Sequence, residues 1–519
     1  MADPEQYQGN ESHEQMSLLT RNQYEGGQEG GGEGGEEKPP APIDYSYLDG
    51  LRGMGAFAVY LSHFRDQFYP YPHAAGGSNN EYEGEEARHL PDAFRNSPLQ
   101  ILHHGYFWVL VFFILSGFVL PLRFFRTGNT TCITAGTFRR YLRLMLPLLV
   151  ILSLYYFFMK MDAMGPYTFK RIKGKTFMHV LIDGLFGTWL CDDSWSTATW
   201  TLSIELVATF LVYLLAQTAV QYRMRYWLYF AACFFIWIPQ VTDKVGLTRL
   251  DFGKLIIHLP VFFLGAILAD FETMKDHRPL DALRNLNTWW KIPINLVLLW
   301  VFLALGSYKG NGKCLTDDDG DCEFWRYATL NFTINKLVCN YLAAIALFLL
   351  ALTSSWFQWL LNTSVFQFMG RISYSLYLAH ELVTEWAEVD TYYSFLGHDI
   401  DPNLAILYVF LIFTPVLILG SWILTILVDT PSKDFAYQLD LQTRKRRLPA
   451  PMVIKDGVEQ PQDDEEYYSC GSFTKRSWAI LAYVGWLATV LIVTELYTAF
   501  KPSREVRPDE VSPGLTVTS

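Results

Sequence analysis

Residues 44–64 read DYSYLDGLRGMGAFAVYLSHF, an apolar stretch with Arg52 near its start and His63 near its end. The stretch decides the fold because about 20 residues of helix are enough to cross a hydrocarbon core of roughly 30 Å. At a rise of about 1.5 Å per residue, the interval from Arg52 to His63 spans roughly 16 Å along a helix axis. Both side chains therefore belong to one helix that enters a membrane.

The composition of the whole chain fits the same environment. Of the 519 residues, 51% are hydrophobic and only 18% are charged, whereas an ordinary soluble domain has roughly 25% charged residues. We predict an all-α, polytopic transmembrane helical bundle with ten core spans and an eleventh C-terminal span. The predicted spans are residues 46–64, 99–121, 142–159, 198–219, 226–241, 255–270, 292–307, 336–353, 371–388, 404–428 and 477–499. The brief apolar run 177–190 contains Asp183 and is interpreted as interfacial or re-entrant.

Changes in composition set the expected domain boundaries. The net charge is −11, much of it in the tails, and no nucleic-acid partner is expected. Residues 1–43 are acidic and Gly-rich, a composition typical of disorder. The remaining units are a transmembrane domain at 44–431, a polar linker at 432–475, an additional transmembrane segment at 476–500 and a polar tail at 501–519.

Lys and Arg collect in alternate loops, as the positive-inside rule requires. A cytosolic N-terminus places the basic loop 123–143 in the cytosol and places Cys314, Cys322 and the sequon at Asn331 on the opposite side. Disulfides and N-linked glycans both form on the non-cytosolic side of a membrane. We therefore expect a multi-pass glycoprotein of an endomembrane or the plasma membrane. The basic residues at 170–175 disagree with this orientation, and a full crossing by 177–190 would invert everything after it.

Polar side chains inside predicted spans are candidate functional residues, since a charge at a helix centre costs about 2.5–3.5 kcal/mol on insertion scales. Besides Arg52 and His63, His380 lies within SYSLYLAHELV and Glu205 lies within TWTLSIEL. Taken alone, an arginine such as Arg52 is more often an interfacial anchor, and a histidine such as His63 is more often a satisfied interior residue. Their joint presence in one bundle indicates a polar cavity.

Arg139, Arg140 and Arg143 lie in FRRYLRLMLP, at the start of the third predicted span. Spacings of three and four place two of them on one helical face. Guanidinium groups suit phosphates, and a helix N-terminus favours anions. The alternative is ordinary positive-inside topology with contacts to lipid head groups. The sequence contains no motif typical of a metal or nucleotide-cleaving site, so neither a metal nor a permanently bound cofactor is expected.

Five motifs in order resemble the acyltransferase 3 family, including its fungal-type members. They are LDGLRGMGAFAVYLSH at 48–63, ILSGFVL at 114–120, FRRYLRLMLP at 138–147, TWTLSIE at 199–205 and GRISYSLYLAH at 370–380. The resemblance covers roughly 44–431 and implies an integral membrane enzyme of ten core spans that moves an acyl group from acyl-CoA to a hydroxyl or, less often, an amine. Relatives include bacterial acetylases of cell-envelope sugars and fungal proteins that decorate secondary metabolites. The chain departs from many members in having VDTP, with Asp429 before Pro431, where they have a Glu before a Pro.

The resemblance places the family's important pair on Arg52 and His63, and its basic motif on Arg139, Arg140 and Arg143. A thioester is already activated, so acyl transfer mainly needs a base, donors for the developing oxyanion and exclusion of water. We predict His63 as the general base, because the unperturbed pKa of histidine is about 6.5.

The other site residues receive roles consistent with this chemistry. Arg52 and the three arginines of the basic motif are expected to bind the phosphates of acyl-CoA, the co-substrate, with acetyl as the default acyl group. Glu205 is expected to orient His63 or contact the acceptor. His380, Tyr374 and Trp200 are expected to line the site of a small-molecule or carbohydrate acceptor. Direct transfer and a route through an acyl-histidine both fit.

Two other functions fit the same residues. In a secondary transporter or proton-coupled carrier, Arg52, His63, Glu205 and His380 would form a relay or a substrate site. In a receptor or scaffold, an acyltransferase-like bundle would have lost its activity. Labelled acetyl-CoA distinguishes these functions, because only the enzyme transfers the label.

Overall fold

The computed structural model describes residues 44–68, 98–128, 130–161, 172, 174–186, 195–196, 199–221, 225, 227, 229, 231, 251–274, 279–307, 336–445, 452–455 and 458–461. These residues are mainly helical, which confirms the predicted all-α helical bundle. The helices are α1 (Ser46–Phe68), α2 (Gly105–Thr127), α3 (Thr131–Lys160), α4 (Phe177–Leu185), α5 (Trp200–Gln221), α6 (Asp251–Thr273), α7 (Pro279–Arg284), α8 (Thr288–Gly306), α9 (Lys336–Thr353), α10 (Ser355–Leu361), α11 (Ser364–Val383), α12 (Val389–Leu396), α13 (Pro402–Leu424) and α14 (Thr430–Lys445).

Short elements join these helices. A 3₁₀ helix at Pro98–His103 precedes α2, and π-helical turns at Thr384–Glu388 and Thr425–Asp429 continue α11 and α13 without a break. Strands β1 (Met452–Lys455) and β2 (Val458–Pro461) form one small antiparallel hairpin. The first part of the predicted polar linker is thus helix α14, which packs against α3.

Five helical segments of the described chain are long and apolar enough to cross a membrane. They are Gly105–Thr127, Cys132–Lys160, Trp200–Gln221, Thr288–Gly306 and Pro402–Asp440, and the pair Leu337–Thr353 and Ser355–Leu361 is a sixth candidate bent by 93°. Helices α1 and α11, with 23 and 20 residues, are long enough but carry more polar side chains. The predicted span 477–499 and most of 226–241 lie outside the described residues, so the number of spans stays a prediction.

Helix α4 agrees with the interfacial or re-entrant interpretation of residues 177–190. It has nine residues, which extend only about 13 Å and are too few to cross a hydrocarbon core. Asp183 on α4 accepts hydrogen bonds from Lys175 Nζ at 2.7 Å and from Trp195 Nε1 at 2.7 Å. Helix α4 also packs against α3, where the Tyr141 hydroxyl donates to the Leu185 carbonyl at 2.6 Å.

Helices α1 and α11 pack closely and run in parallel. A Cβ atom on Gly53 would overlap the backbone nitrogen of Gly370, and one on Gly370 would overlap the carbonyl oxygen of Asp49. Small residues of this kind let helix backbones approach in membranes. Because Arg52 contacts Ser373 and His63 contacts His380, residue numbers increase in the same direction along both helices.

This parallel packing bears on the topology. A chain that crosses a membrane through α1 and again in the same direction through α11 makes an odd number of crossings in between. The predicted spans between them number seven, from 99–121 to 336–353. A further crossing by residues 177–190 would make that number even, so the packing favours the re-entrant interpretation.

Two apolar cores flank α1. One is built mainly from α2, α5, α6 and α9 and includes Leu51. The other is built mainly from α3, α11 and α13 and includes Tyr60. The polar residues of α1 therefore lie between two well-packed apolar clusters, and the first core positions the α2 and α5 residues of the candidate site.

Candidate active site

The side chains of His63 on α1 and His380 on α11 lie next to each other in the bundle. Their ring centroids are 4.8 Å apart, and the ring planes are inclined by 52°. The side chain of His380 is fully buried, whereas His63 is half-buried. We refer to these two residues as the histidine pair. Both were predicted as site residues, but in different roles, and the structure brings them into direct contact.

The hydrogen bond of His380 defines its tautomer. Its Nδ1 lies 2.7 Å from the carbonyl oxygen of Tyr377, one turn earlier in α11. A carbonyl oxygen only accepts, so Nδ1 carries the hydrogen and Nε2 carries a lone pair. Nε2 is buried and has no hydrogen-bond partner among the described residues. His380 thus presents a fixed, unused acceptor inside the bundle.

Tyr377 and Glu381, the neighbours of His380 on α11, form hydrogen bonds with the start of α5 and the loop before it. The Tyr377 ring centroid is 5.8 Å from that of His380, and the Tyr377 hydroxyl is 2.5 Å from Thr201 Oγ1. Glu381, next to His380, accepts a hydrogen bond from Ser196. None of these residues was predicted from the sequence, although Tyr377 lies one helical turn from His380 in SYSLYLAH. They give the pair a polar boundary within an apolar bundle.

Arg52 lies three turns of α1 before His63 and also contacts α11. Its Nε donates to Ser373 Oγ at 2.9 Å, and its Nη2 donates to the Gly370 carbonyl at 3.1 Å. Nη2 also lies 2.9 Å from Asp49 Oδ1. The guanidinium is therefore held between two helices rather than pointing outward as an interfacial anchor.

Glu205 and Arg140 form an ion pair that the sequence analysis did not foresee. Arg140 on α3 donates to Glu205 on α5, and Ser116 on α2 donates to the same Oε1 at 2.9 Å. Arg140 Nη2 also lies 3.1 Å from Ser116 Oγ. Three helices thus meet at one carboxylate. The structure places Glu205 with the basic residues; its predicted role beside His63 stays a prediction.

Arg139 and Arg143 face different surroundings. Arg139 lies 3.6 Å from Asp440 Oδ2 on α14, and its guanidinium carbon is 5.8 Å from the Tyr437 ring centroid. Arg143 is within electrostatic range of Asp429 and Arg52 and makes no hydrogen bond with any residue that the structure describes. Of the three arginines in the basic motif, Arg143 is the one whose whole guanidinium lacks a hydrogen bond to a described residue.

Lys433 on α14 is a further cation at this position, and the sequence analysis missed it. Its Nζ lies 2.5 Å from Asp429 Oδ2, and it also interacts electrostatically with Arg143 and Arg52. Asp429 Oδ1 is buried without a hydrogen-bond partner among the described residues. The only signal in the sequence is the spacing of four between Asp429 and Lys433 in DTPSK, which is common on helices.

We call Arg52, Arg140, Arg143 and Lys433 the cationic site. Among the described residues, these four cations face the three carboxylates of Asp49, Glu205 and Asp429, which leaves a net positive charge. From Ser373, which contacts Arg52, to His380 along α11 the rise is about 10 Å. Through Arg52, the cationic site meets α1 and α11 at one level, and the histidine pair lies at another level of the same two helices.

The contacts that the structure gives for Tyr374 and Trp200 are with residues other than the histidine pair. The Tyr374 hydroxyl donates to the Leu144 carbonyl at 2.7 Å, and the nearby charges are those of the cationic site. The Trp200 ring centroid is 5.3 Å from that of His258 on α6, a buried histidine whose Nε2 lies 3.1 Å from the Tyr106 hydroxyl. Their predicted contacts with an acceptor stay predictions.

Comparison with known families decides the class of this site. The acyltransferase 3 model, described as an acyltransferase domain, matches residues 45–426. The chain belongs to the acyltransferase 3 family. The match includes both levels of the site except Asp429 and Lys433, which lie just beyond its end. No curated protein and no solved structure matches the chain. Family membership and the apolar helices together make the protein a membrane acyltransferase.

Proposed function

We propose that this membrane acyltransferase moves an acyl group, acetyl by default, from acyl-CoA to a hydroxyl group of a small-molecule or carbohydrate acceptor, with His63 as the general base. The observation that carries the proposal is the arrangement of the half-buried His63 imidazole and the cationic site at two levels along α1, with Arg52 on α1 itself and the other cations on α3 and α14. Such a site offers a base at one level and anion ligands at the other.

The cationic site supports a donor that carries phosphates. Guanidinium and ammonium groups bind phosphate oxygens through charge-assisted hydrogen bonds. Arg143 has donors that no described residue uses, and Lys433 and Arg52 lie within its electrostatic range. Phosphates of CoA held by these residues would direct the pantetheine arm along α1 toward His63. The ion pair with Glu205 holds Arg140 in place, and Arg139 is engaged by α14.

The histidine pair supports base catalysis. As the acceptor hydroxyl attacks the thioester carbonyl, its proton passes to His63, and the C–S bond breaks to release the CoA thiol. Packed apolar residues on both sides of α1 limit water, which would otherwise hydrolyse the thioester. An acyl-histidine intermediate on His63 fits the same geometry.

The same arrangement supports a cytosolic N-terminus and a multi-pass topology. The start of α1 lies at the level of the cationic site, and acyl-CoA is a cytosolic metabolite. The basic residues Arg126 and Arg284 interact with the N-terminal end of α1 through Tyr45 and Glu272. This concentration of Arg on one side follows the positive-inside rule.

A comparison of metabolites tests the proposed function. Extracts of cells with the full-length protein, with the His63→Ala variant and without the protein are compared by mass spectrometry. The expected result is a set of compounds heavier by one acyl group only in cells with the unchanged protein. Altered export or uptake of a compound with no acylated product would instead support a transporter.

A further inference from the structure

The two imidazoles of the histidine pair differ in what they can do. His63 makes no hydrogen bond with any residue in the described part of the chain, so its ring is free to choose its tautomer and orientation. His380 is locked by the Tyr377 carbonyl, and its buried Nε2 is an acceptor without a donor. A buried acceptor without a partner costs about 1–3 kcal/mol. Its retention beside His63 calls for a functional reason.

Geometry shows which donor can reach this acceptor. Two imidazoles joined by an N–H···N hydrogen bond of about 2.9 Å have ring centroids on the order of 5 Å apart. The observed centroid distance is 4.8 Å. The observed distance is therefore compatible with a hydrogen bond from a His63 N–H group to His380 Nε2 once the His63 ring rotates about its side-chain bonds.

We propose that His380 is a positioning residue that accepts a hydrogen bond from His63 during acyl transfer. This inference rests on the proposed function. The bond holds the second nitrogen of His63, with its lone pair, toward the acceptor hydroxyl, and it stabilises the imidazolium that forms when His63 takes the proton. The hydroxyl oxygen forms a bond to the acyl carbon, the C–S bond breaks, and the proton on His63 passes to the leaving thiolate. His380 itself exchanges no proton.

Other polar groups near the pair are less suited to this role. Glu381 is engaged by Ser196, and the Tyr377 hydroxyl is paired with Thr201. Glu205, the carboxylate predicted to orient His63, is bound to Arg140 and Ser116. His380 is thus the group in contact with His63 that has an unused acceptor.

The test compares two substitutions of His380. The His380→Leu variant has no hydrogen-bond acceptor at this position, whereas the side-chain carbonyl oxygen of the His380→Asn variant can accept the same hydrogen bond. Purified full-length variants are incubated with radiolabelled acetyl-CoA and an extract of cells that lack the protein, which serves as the acceptor mixture. We expect His380→Leu to lower kcat roughly 100-fold with an unchanged KM for acetyl-CoA, and His380→Asn to restore a substantial part of kcat.

His398→Leu is the matched control. His398 also directs Nδ1 at a backbone carbonyl, that of Ser394 at 2.8 Å, but it is exposed and does not contact His63. It should retain full activity. Thermal unfolding identifies variants that fail to fold. If His380→Leu fails to fold, His380→Ala takes its place in the comparison with His380→Asn.

The outcomes separate the inference from the proposed function. If the unchanged protein transfers label and His63→Ala does not, but His380→Leu retains full kcat, the positioning role is wrong and the proposed function stands. Equal kcat for folded His380→Leu and His380→Asn, both reduced, would also overturn the inference, because loss of packing alone gives that result. If the unchanged protein transfers no label, the proposed function itself fails.

Discussion

Arg140 on α3 forms an ion pair with Glu205 on α5, and Ser116 on α2 donates to the same carboxylate oxygen. Two residues predicted to act separately, one on phosphate and one beside His63, therefore stabilise each other. The pair fixes three helices at the level where the cationic site lies.

A double-mutant cycle tests this coupling. Arg140→Ala leaves Glu205 half-buried without its cation, and Glu205→Ala leaves Arg140 without its anion, so each should destabilise the protein by about 1–3 kcal/mol. The double variant should lose clearly less free energy of unfolding than the two single variants lose together, because neither partner is then left unpaired. Thermal unfolding in detergent measures all three. Additive losses would show that the pair contributes nothing of its own.

Donor binding should depend on Arg143 and Lys433 more than on Arg139. Arg143 makes no hydrogen bond with a described residue and interacts electrostatically with Lys433, whereas the Arg139 guanidinium lies against Asp440 and Tyr437 of α14. Replacing either of the first two with Ala should weaken CoA binding about tenfold, which corresponds to about 1.4 kcal/mol. Arg139→Ala should weaken CoA binding by less than about threefold. Isothermal titration with CoA at two salt concentrations provides the measurement.

A larger loss of CoA affinity in Arg139→Ala than in the Arg143→Ala and Lys433→Ala variants would contradict the assignment of the cationic site. Lys433→Arg is the control, because it conserves the charge and should keep most of the affinity. Binding that is insensitive to salt would also contradict a site built from charge, since ionic strength screens such contacts.

The close packing of α1 on α11 should be sensitive to a single methyl group. A Cβ at Gly53 or Gly370 would overlap backbone atoms of the facing helix, so Gly53→Ala and Gly370→Ala should each destabilise the protein by about 2 kcal/mol. They should also lower activity, because the same interface holds the histidine pair together. Gly420→Ala is the control: nothing lies within 4 Å of its Cβ position, and its stability should change by less than about 1 kcal/mol. Equal effects at all three glycines would refute a specific role for the interface.

The buried carboxylate of Glu272 should depend on Arg284 for its stabilisation. Arg284 Nη1 lies 2.9 Å from Glu272 Oε1, and the Tyr45 hydroxyl donates to the same oxygen at 3.0 Å. Removing the guanidinium leaves a buried carboxylate without its cation, so Arg284→Ala should cost about 3 kcal/mol of stability. Asp281→Asn, at the more accessible partner of Arg284, should cost less than about 1 kcal/mol. Thermal unfolding measures both, and similar losses for the two would show that burial is irrelevant here.

Local patterns in the sequence predicted the elements of this fold because hydrophobic length and helical rise are local properties. Helix α1 carries Arg52 and His63 on one uninterrupted helix, as predicted from residues 46–64. The nine residues of α4 agree with the prediction that 177–190 is too short to be a span. Helix α14 was not predicted, since the polar composition of residues 432–445 carries no apolar face long enough to suggest a packed helix.

The partners of the site residues could not be predicted in the same way. The contact between His63 and His380 depends on which spans pack together, and no local periodicity encodes that choice. Arg139 belongs to the predicted basic face, but Asp440 on α14 engages it from a distant part of the sequence. Asp429 and Lys433 required knowledge that the π-helical turn at Thr425–Asp429 continues α13 directly into α14.

The most direct measurement is the transfer of label from radiolabelled acetyl-CoA by the purified full-length protein, with and without the His63→Asn substitution. The account predicts labelled products bearing acetyl esters with the unchanged protein. With His63→Asn, it predicts transfer lower by about 100-fold or more at unchanged CoA affinity. Equal transfer by the two proteins would contradict His63 as the base, and no transfer by the unchanged protein would contradict acetyl-CoA as the donor.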